Sequence, residues 1–149
     1  MIDKLETKVD KFTFKVAIDR FYTNEGVWAF ASGSSVRIGL SDFLQQRSGD
    51  IAFADVKAVG TVLAAGGAAA VIETIKVNID FASPIAGTIV RVNALMETAP
   101  ETINLDPYGE GWVCEIAAVD WESERKKLLD PEAYFALMKH EAENEVKKE

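Results

Sequence analysis

The run "FTFKVAI" alternates from Phe12 to Ile18, with Phe12, Phe14, Val16 and Ile18 on one side, and predicts a half-buried strand. "VWAF" (27–30) and "SSVRIGL" (34–40) flank the turn signal "ASGS" and predict a hairpin. Ser41 then offers an N-cap for one or two helical turns closed near Gly49, and "IAFADV" is a further short strand. Gly60, Gly66, Gly67, Pro84 and Gly87 punctuate short apolar runs, which predicts a compact antiparallel sandwich or barrel. "GTVL" at 60–63 echoes "GTIV" at 87–90; chance is one explanation, and two similar β-halves are the other. After the turn in "NLDPYGEGW", "WVCEIAAV" reads as the last strand. From Asp130 the period becomes helical: Asp130 caps, Pro131 suits the first position, and Tyr134, Leu137 and Met138 recur on one face. The terminal "ENEVKKE" reads as that helix's solvated tail. Residues 1–10 read as a flexible lead-in. The expectation is one mainly β domain over 11–149, with a short helix and a C-terminal helix over 130–147.

One stretch resists the pattern. In "AAAVIETIKVNIDFASP" a lysine, Lys76, sits between Ile75 and Val77, although lysine is rarely found inside a β-branched run. Strict alternation puts Val71, Glu73, Ile75, Val77, Ile79 and Phe81 on one face and Ile72, Thr74, Lys76, Asn78 and Asp80 on the other. Spacing alone makes Lys76 a surface residue on a wet strand face.

Charge and composition narrow the chemistry. The net charge of -8 argues against nucleic acid, and fits either a partner with a basic face or plain solubility. No apolar stretch is long enough to cross a bilayer, and the charged N-terminus is no secretory signal, so a cytoplasmic protein is expected. Cys114 is the only cysteine and His140 the only histidine, which excludes an intrachain disulfide and a Cys/His metal cluster. Cys114 lies in a core-like strand, where thiols are inert; a redox role is the alternative. The glycines lack the context of a phosphate loop and read as turns. Trp28, Trp112 and Trp121 read as packing residues, and His140 as a solvated helix residue. Tyr22 lies either near the site or buried with its hydroxyl bonded.

From Tyr22 to the terminal helix the chain resembles the H protein of the glycine cleavage system and its lipoyl-carrier relatives. The resemblance rests on "VRIGLSDFLQQRSGDIAFADVKAVGTVL", "ETIKVNIDFASPIAGTIVRVN" and "NLDPYGEGW", in that order, and covers about four-fifths of the chain. It implies a lipoyl-domain-like β-sandwich, or barrelled hammerhead, in which two strands meet near Lys76. It also implies that Lys76 sits at a hairpin tip and carries lipoate through an amide, with Glu73 as a mark for the attaching enzyme. Asp80 matches the family's acid four residues after the lysine, which helps to hold the amine of a loaded arm; ending a strand is its bland role. Biotin carriers flank their lysine with methionines, so Ile75 and Val77 favour lipoate. Such a protein is a carrier and not an enzyme, in keeping with the scarcity of His and Cys. Its partners are a lipoate-protein ligase or lipoyltransferase, the enzymes the arm visits, and dihydrolipoamide dehydrogenase for reoxidation.

The chain departs from the family at "YTNEGVW". The family's His and Glu directly before the tryptophan are here Gly26 and Val27, and that Glu is credited with holding the cargo amine. Glu25 is a candidate substitute. The family's Ser and aromatic after the lysine are Ile79 and Ala82. These departures favour the H-like lipoate-binding proteins of bacterial sulfur oxidation, which work with a heterodisulfide-reductase-like complex. The alternatives are a glycine cleavage carrier of an aminomethyl group, and an unlipoylated interaction module docking through Ile75, Val77 and Ile79.

Overall fold

The computed structural model describes residues 2–147; Met1 and the last two residues of the expected C-terminal tail, Lys148 and Glu149, lie outside the described residues. The protein is mainly β, and every named strand pairing is antiparallel. The first hairpin joins β1 (Lys4–Val9) and β2 (Phe12–Ala17). A six-stranded sheet contains β3 (Phe21–Tyr22), β4 (Val27–Ser32), β5 (Ser35–Leu40), β7 (Val62–Leu63), β10 (Gly87–Val92) and β11 (Cys114–Ala118), in the order β3-β4-β5-β11-β10-β7. A three-stranded sheet has β8 (Ala68–Thr74) between β6 (Ile51–Val56) and β9 (Asn78–Ala82).

Helix α1 (Asp42–Ser48) starts where Ser41 accepts the Leu44 N–H and ends at Gly49, whose φ of 90° is easy only for glycine. Helix α5 (Pro131–Lys147) starts where Asp130 accepts the Ala133 N–H. Both starts match the sequence expectation. Three short helices, α2 (Leu95–Thr98), α3 (Thr102–Leu105) and α4 (Trp121–Glu124), escaped it, each only one turn long.

Residues 4–9 are not a loose lead-in. They pair with β2 over their whole length, from Lys4 opposite Ala17 to Val9 opposite Phe12. Leu5, Thr7 and Val9 turn inward while Lys4, Glu6 and Lys8 face water. The period of two is present, but Thr7 and the charged positions conceal it. Within β2, Phe14 and Val16 are buried as expected, whereas Phe12 is exposed, and so is Ile18 just past the strand's end.

The two echoing segments pair with each other: Leu63 faces Gly87, Val62 faces Thr88, and the backbones of Gly60 and Thr61 bond to Ile89. Ile38, Leu63, Ile72, Phe81, Ile89 and Ile116 share one core between the two larger sheets. A second core gathers Phe14, Tyr22, Trp28, Phe43, Tyr134 and Met138 under the first hairpin and α5. There the Tyr22 and Tyr134 rings stack with centroids 4.5 Å apart, and the Tyr22 hydroxyl donates to the Ala17 carbonyl at 2.7 Å. Tyr22 is thus the buried, bonded tyrosine of the two readings. Arg20 is buried beside it, paired with Asp19 at 2.7 Å and lying over Trp28, Phe30 and Tyr108.

Candidate functional site

Strands β8 and β9 meet in a tight turn over residues 74–77, and Lys76 stands at its tip. Neither glycine nor proline makes this turn; Thr74 does. Its hydroxyl accepts the N–H of Lys76 at 3.1 Å and of Val77 at 2.9 Å, and donates to the Val77 carbonyl. The Thr74 N–H also donates to the Val77 carbonyl, and the Ile75 N–H donates to the Asp50 carbonyl. The β-branched run therefore folds back on itself rather than continuing.

The fold-back corrects the face assignment of a single strand. Glu73 pairs with Asn78 and Val71 with Asp80, so Glu73 and Asp80 share the outer, wet face. Ile72, Ile79 and Phe81 turn inward together. Glu73 and Asp80 thus lie on one exposed surface below the tip, beside Phe53 and Asp55 of β6. Ile75 and Val77 flank the lysine at 74% and 51% exposure.

Lys76 is exposed, and its ammonium has no ion-pair partner among the described residues. Its stem passes over Gly49: a Cβ there would lie 3.4–3.6 Å from Lys76 Cγ, Cδ and Cε. An accessible amine on an unpaired stem, held at a hydrogen-bonded tip, fits acylation by a small carboxylic acid.

The tip lies between two grooves on either side of α1. One, of about 590 Å³, is lined by Asn24, Glu25, Leu44, Arg47, Val77 and Glu141, with Ser48. The other, of about 470 Å³, takes in Lys76 itself, with Phe12, Phe14 and Phe43. Val27 is buried in the main core, and Gly26, at φ 93°, has no room for a side chain, since a Cβ would lie 2.8 Å from Ser41 Oγ and Tyr134 Oη. The His-Glu pair of the family has no counterpart at these positions. Glu25, in contrast, reaches a groove shared with Val77, and has no ion pair among the described residues.

The other singled-out residues are structural. Cys114 is fully buried, and burial, helped by the adjacent Glu115 charge, pushes its thiol up to about 12. Trp28 and Trp112 are buried, and Arg37 lies over the Trp112 ring. His140 is exposed on α5, within 3.1 Å of Asn144. Among the described residues no helix is long and apolar enough to cross a membrane.

Comparison with known proteins adds an independent line. The family profile described as "Glycine cleavage H-protein" matches residues 20–141. A glycine cleavage system H protein of Thermus thermophilus is 40% identical over 124 residues, covering 83% of this chain and 96% of the relative. A probable glycine cleavage system H protein 1 of Saccharolobus solfataricus is 38% identical over 135 residues, covering 90% and 97%. A crystal structure of a glycine cleavage system H protein from Mycobacterium marinum superposes with TM-score 0.71 at 30% identity, over 80% of this chain and 95% of that one.

Proposed function

This chain belongs to the glycine cleavage H-protein family, and from that premise we propose that it carries lipoate on Lys76 and moves an aminomethyl group between glycine cleavage enzymes. Members of the family are lipoyl carriers without catalytic activity of their own. One observation carries the assignment of the residue: Lys76 is the exposed, unpaired lysine at the tip of the β8–β9 hairpin.

The neutral amine of Lys76 forms the amide when a ligase or lipoyltransferase presents activated lipoate. When bound, lipoate supplies a disulfide that accepts a group or electrons, and a dithiol that returns them by exchange. The rest is done by this chain. Thr74 holds the turn that presents Lys76, and Glu73 and Asp80 offer an acidic face just below it to enzymes that recognise the tip. Tethering replaces repeated diffusion with a high local concentration at each partner.

The sequence alone favours a sulfur-oxidation carrier, because Val27 cannot pair with a cargo amine. Two findings shift the balance towards the glycine cleavage reading. The relatives carry that name at 38–40% identity over most of the chain. Glu25, without an ion pair among the described residues, lines the groove on the Val77 side of the tip, so a carboxylate for an amine is available there without Val27. The buried Val27 still favours sulfur transfer as the second reading.

The test begins with the intact mass of protein from its native host, followed by peptide mapping. A lipoyl adduct on Lys76 is expected, and bare lysine under lipoate-replete conditions would refute the carrier. Loading then separates the cargoes. Aminomethylation by glycine decarboxylase, weakened by Glu25→Ala, supports the proposal. Loading by reduced sulfur compounds alone supports the second reading.

A further inference from the structure

The first hairpin has two edges, and only one of them is closed. Its register runs one to one from Lys4 opposite Ala17 to Val9 opposite Phe12, and the Ile18 N–H donates to the Asp3 carbonyl at 3.1 Å. Bonded pairs alternate along an antiparallel ladder, so Asp3, Leu5, Thr7 and Val9 direct their backbone groups to β2, and those of Lys4, Glu6 and Lys8 point away from it. On β2 the outward groups are taken by side chains. Gln46 donates to the Thr13 carbonyl at 2.9 Å, and Asp42 accepts the Lys15 N–H at 2.9 Å. The hydroxyls of Tyr108 and Tyr22 donate to the carbonyls of Lys15 and Ala17, each at 2.7 Å. Strand β1 has no such cover. No other strand pairs with it, and among the described residues no further backbone hydrogen bond reaches Lys4, Glu6 or Lys8.

We propose that this edge pairs with the same edge of a second copy of the chain, antiparallel about a two-fold axis at Thr7, giving a four-stranded sheet in the order β2-β1-β1-β2. An open edge strand of six residues is a template for another strand. The order of its charges says which strand fits. An axis at Thr7 sets Thr7 opposite the partner's Thr7, Glu6 opposite the partner's Lys8, and Lys4 opposite the partner's Asp10. Glu6 and Lys8 both point their backbone groups outward, as a bonded pair requires, and symmetry repeats the pair. Leu5 then meets the partner's Val9 on the other face. Moving the axis by one residue in either direction sets like charges opposite each other. At Glu6 it places Glu6 on the partner's Glu6 and Lys4 on the partner's Lys8, and at Lys8 it places Lys8 on the partner's Lys8 and Glu6 on the partner's Asp10.

Lysines on an edge strand ordinarily repel an incoming strand. Here each exposed charge has its opposite at the mirror position about Thr7, so the same residues that turn away other strands attract an inverted copy of their own. The segment precedes residues 20–141, which the family profile matches, so the pairing surface is additional to the family's common part. The proposal is independent of what Lys76 carries, and its failure leaves the carrier reading untouched.

Sedimentation equilibrium of the full chain, from micromolar to millimolar protein, tests the pairing. The weight-average mass is expected to rise with concentration towards twice that of the chain. Lys8→Glu sets an acid against the partner's Glu6 and is expected to weaken association about tenfold. Adding Glu6→Lys to it restores opposite signs and recovers the association. Glu6→Pro removes an outward N–H that β2 does not use and abolishes the pairing. Melting curves show whether each variant is folded. Thr7→Cys reads the register, because facing residues of an unbonded pair have Cα atoms about 4.5 Å apart, within reach of a disulfide. Oxidation is expected to link its dimer several-fold faster than that of Glu6→Cys or Lys8→Cys. Buried Cys114 does not contribute in the folded protein. A wild-type chain that stays monomeric at millimolar concentration leaves this edge to water or to another protein's strand, and overturns the proposal. A dimer unchanged by both Lys8→Glu and Glu6→Pro pairs through a different face and also overturns it, as does faster linking of Glu6→Cys than of Thr7→Cys.

Discussion

In the six-stranded sheet Ile38 and Ile116 are wholly shielded from solvent, and Trp28 is sealed between two carbonyls that accept its indole N–H, those of Leu40 and Pro107. In the three-stranded sheet Phe53 is 66% exposed, and the apolar residues beside Lys76 stand in water. Both sheets use β-branched residues in short antiparallel strands, so strand propensity does not separate them. What separates them is coverage. One sheet meets the other over its inner face in a shared core. The other extends a hairpin past its support and leaves apolar side chains where a monomer gains nothing from them. Exposed apolar residues around one lysine are what a tip needs if it is to be gripped by successive partners.

The contrast can be broken most severely at the tip. Lys76→Arg is expected to abolish the lipoyl adduct completely, because a guanidinium does not acylate, while thermal stability stays within about 0.5 kcal/mol, as for other exposed sites. Mass spectrometry and a melting curve read both halves of that statement. In the covered sheet the pattern reverses. Ile116→Ala is expected to cost roughly 2–5 kcal/mol through loss of burial and the cavity left behind, measured by urea titration, with lipoylation of the remaining folded protein intact. Ser41→Ala removes the cap of α1 and the partner of the buried Tyr134 hydroxyl, 2.9 Å away, and should cost about 1–3 kcal/mol. Thr74→Ala at the turn should cost only about 1 kcal/mol of stability, yet slow lipoylation measurably against wild type in a ligase time course, since it loosens the turn that presents the amine.

The smallest effect at neutral pH separates the buried core from the tip by titration. Burial raises the ionisation of Cys114 to about 12 and that of Tyr22, Tyr108 and Tyr134 above the ordinary tyrosine value. The unfolded chain therefore loses these protons first as pH rises. Stability from these groups is complete below about pH 9 and is lost progressively above it, as Cys114 titrates in the unfolded chain from its ordinary value of 9.0. Denaturant midpoints measured between pH 8 and 11 should fall with pH; a flat profile would show that these groups stay in contact with water.

The strands with clean alternation or clear turn residues were legible in the sequence. Ser41, Gly49, Asp130 and Pro131 marked both longer helices, because caps are local chemistry. The first strand was not legible. Its inward positions are Leu5, Thr7 and Val9, and only pairing with β2 and packing beside α5 reveal them as a face. The hairpin at Lys76 was out of reach of periodicity, since its turn uses Ile75 and Lys76 with Thr74 as the hidden turn-maker. The ordered motifs of the family resemblance supplied what spacing lacked. Arg20 carried no sequence signal, because its partners Trp28, Phe30 and Tyr108 come together only in the folded chain. Glu25 was legible as a residue but not as a groove wall, because its reach depends on how Val77 and α5 are placed around it.

The four amide hydrogens of the turn over residues 74–77 are all bonded within the protein: those of Thr74, Lys76 and Val77 inside the turn, and that of Ile75 to Asp50. An enzyme that takes in this end of the molecule excludes water from it. A loop relying on solvent for its amides would resist that dehydration, or unravel to find new acceptors. This end brings no thirsty amide with it. It can pass from solvent into a dry cavity and back with these four amides kept bonded, so their dehydration adds nothing to the cost of each visit.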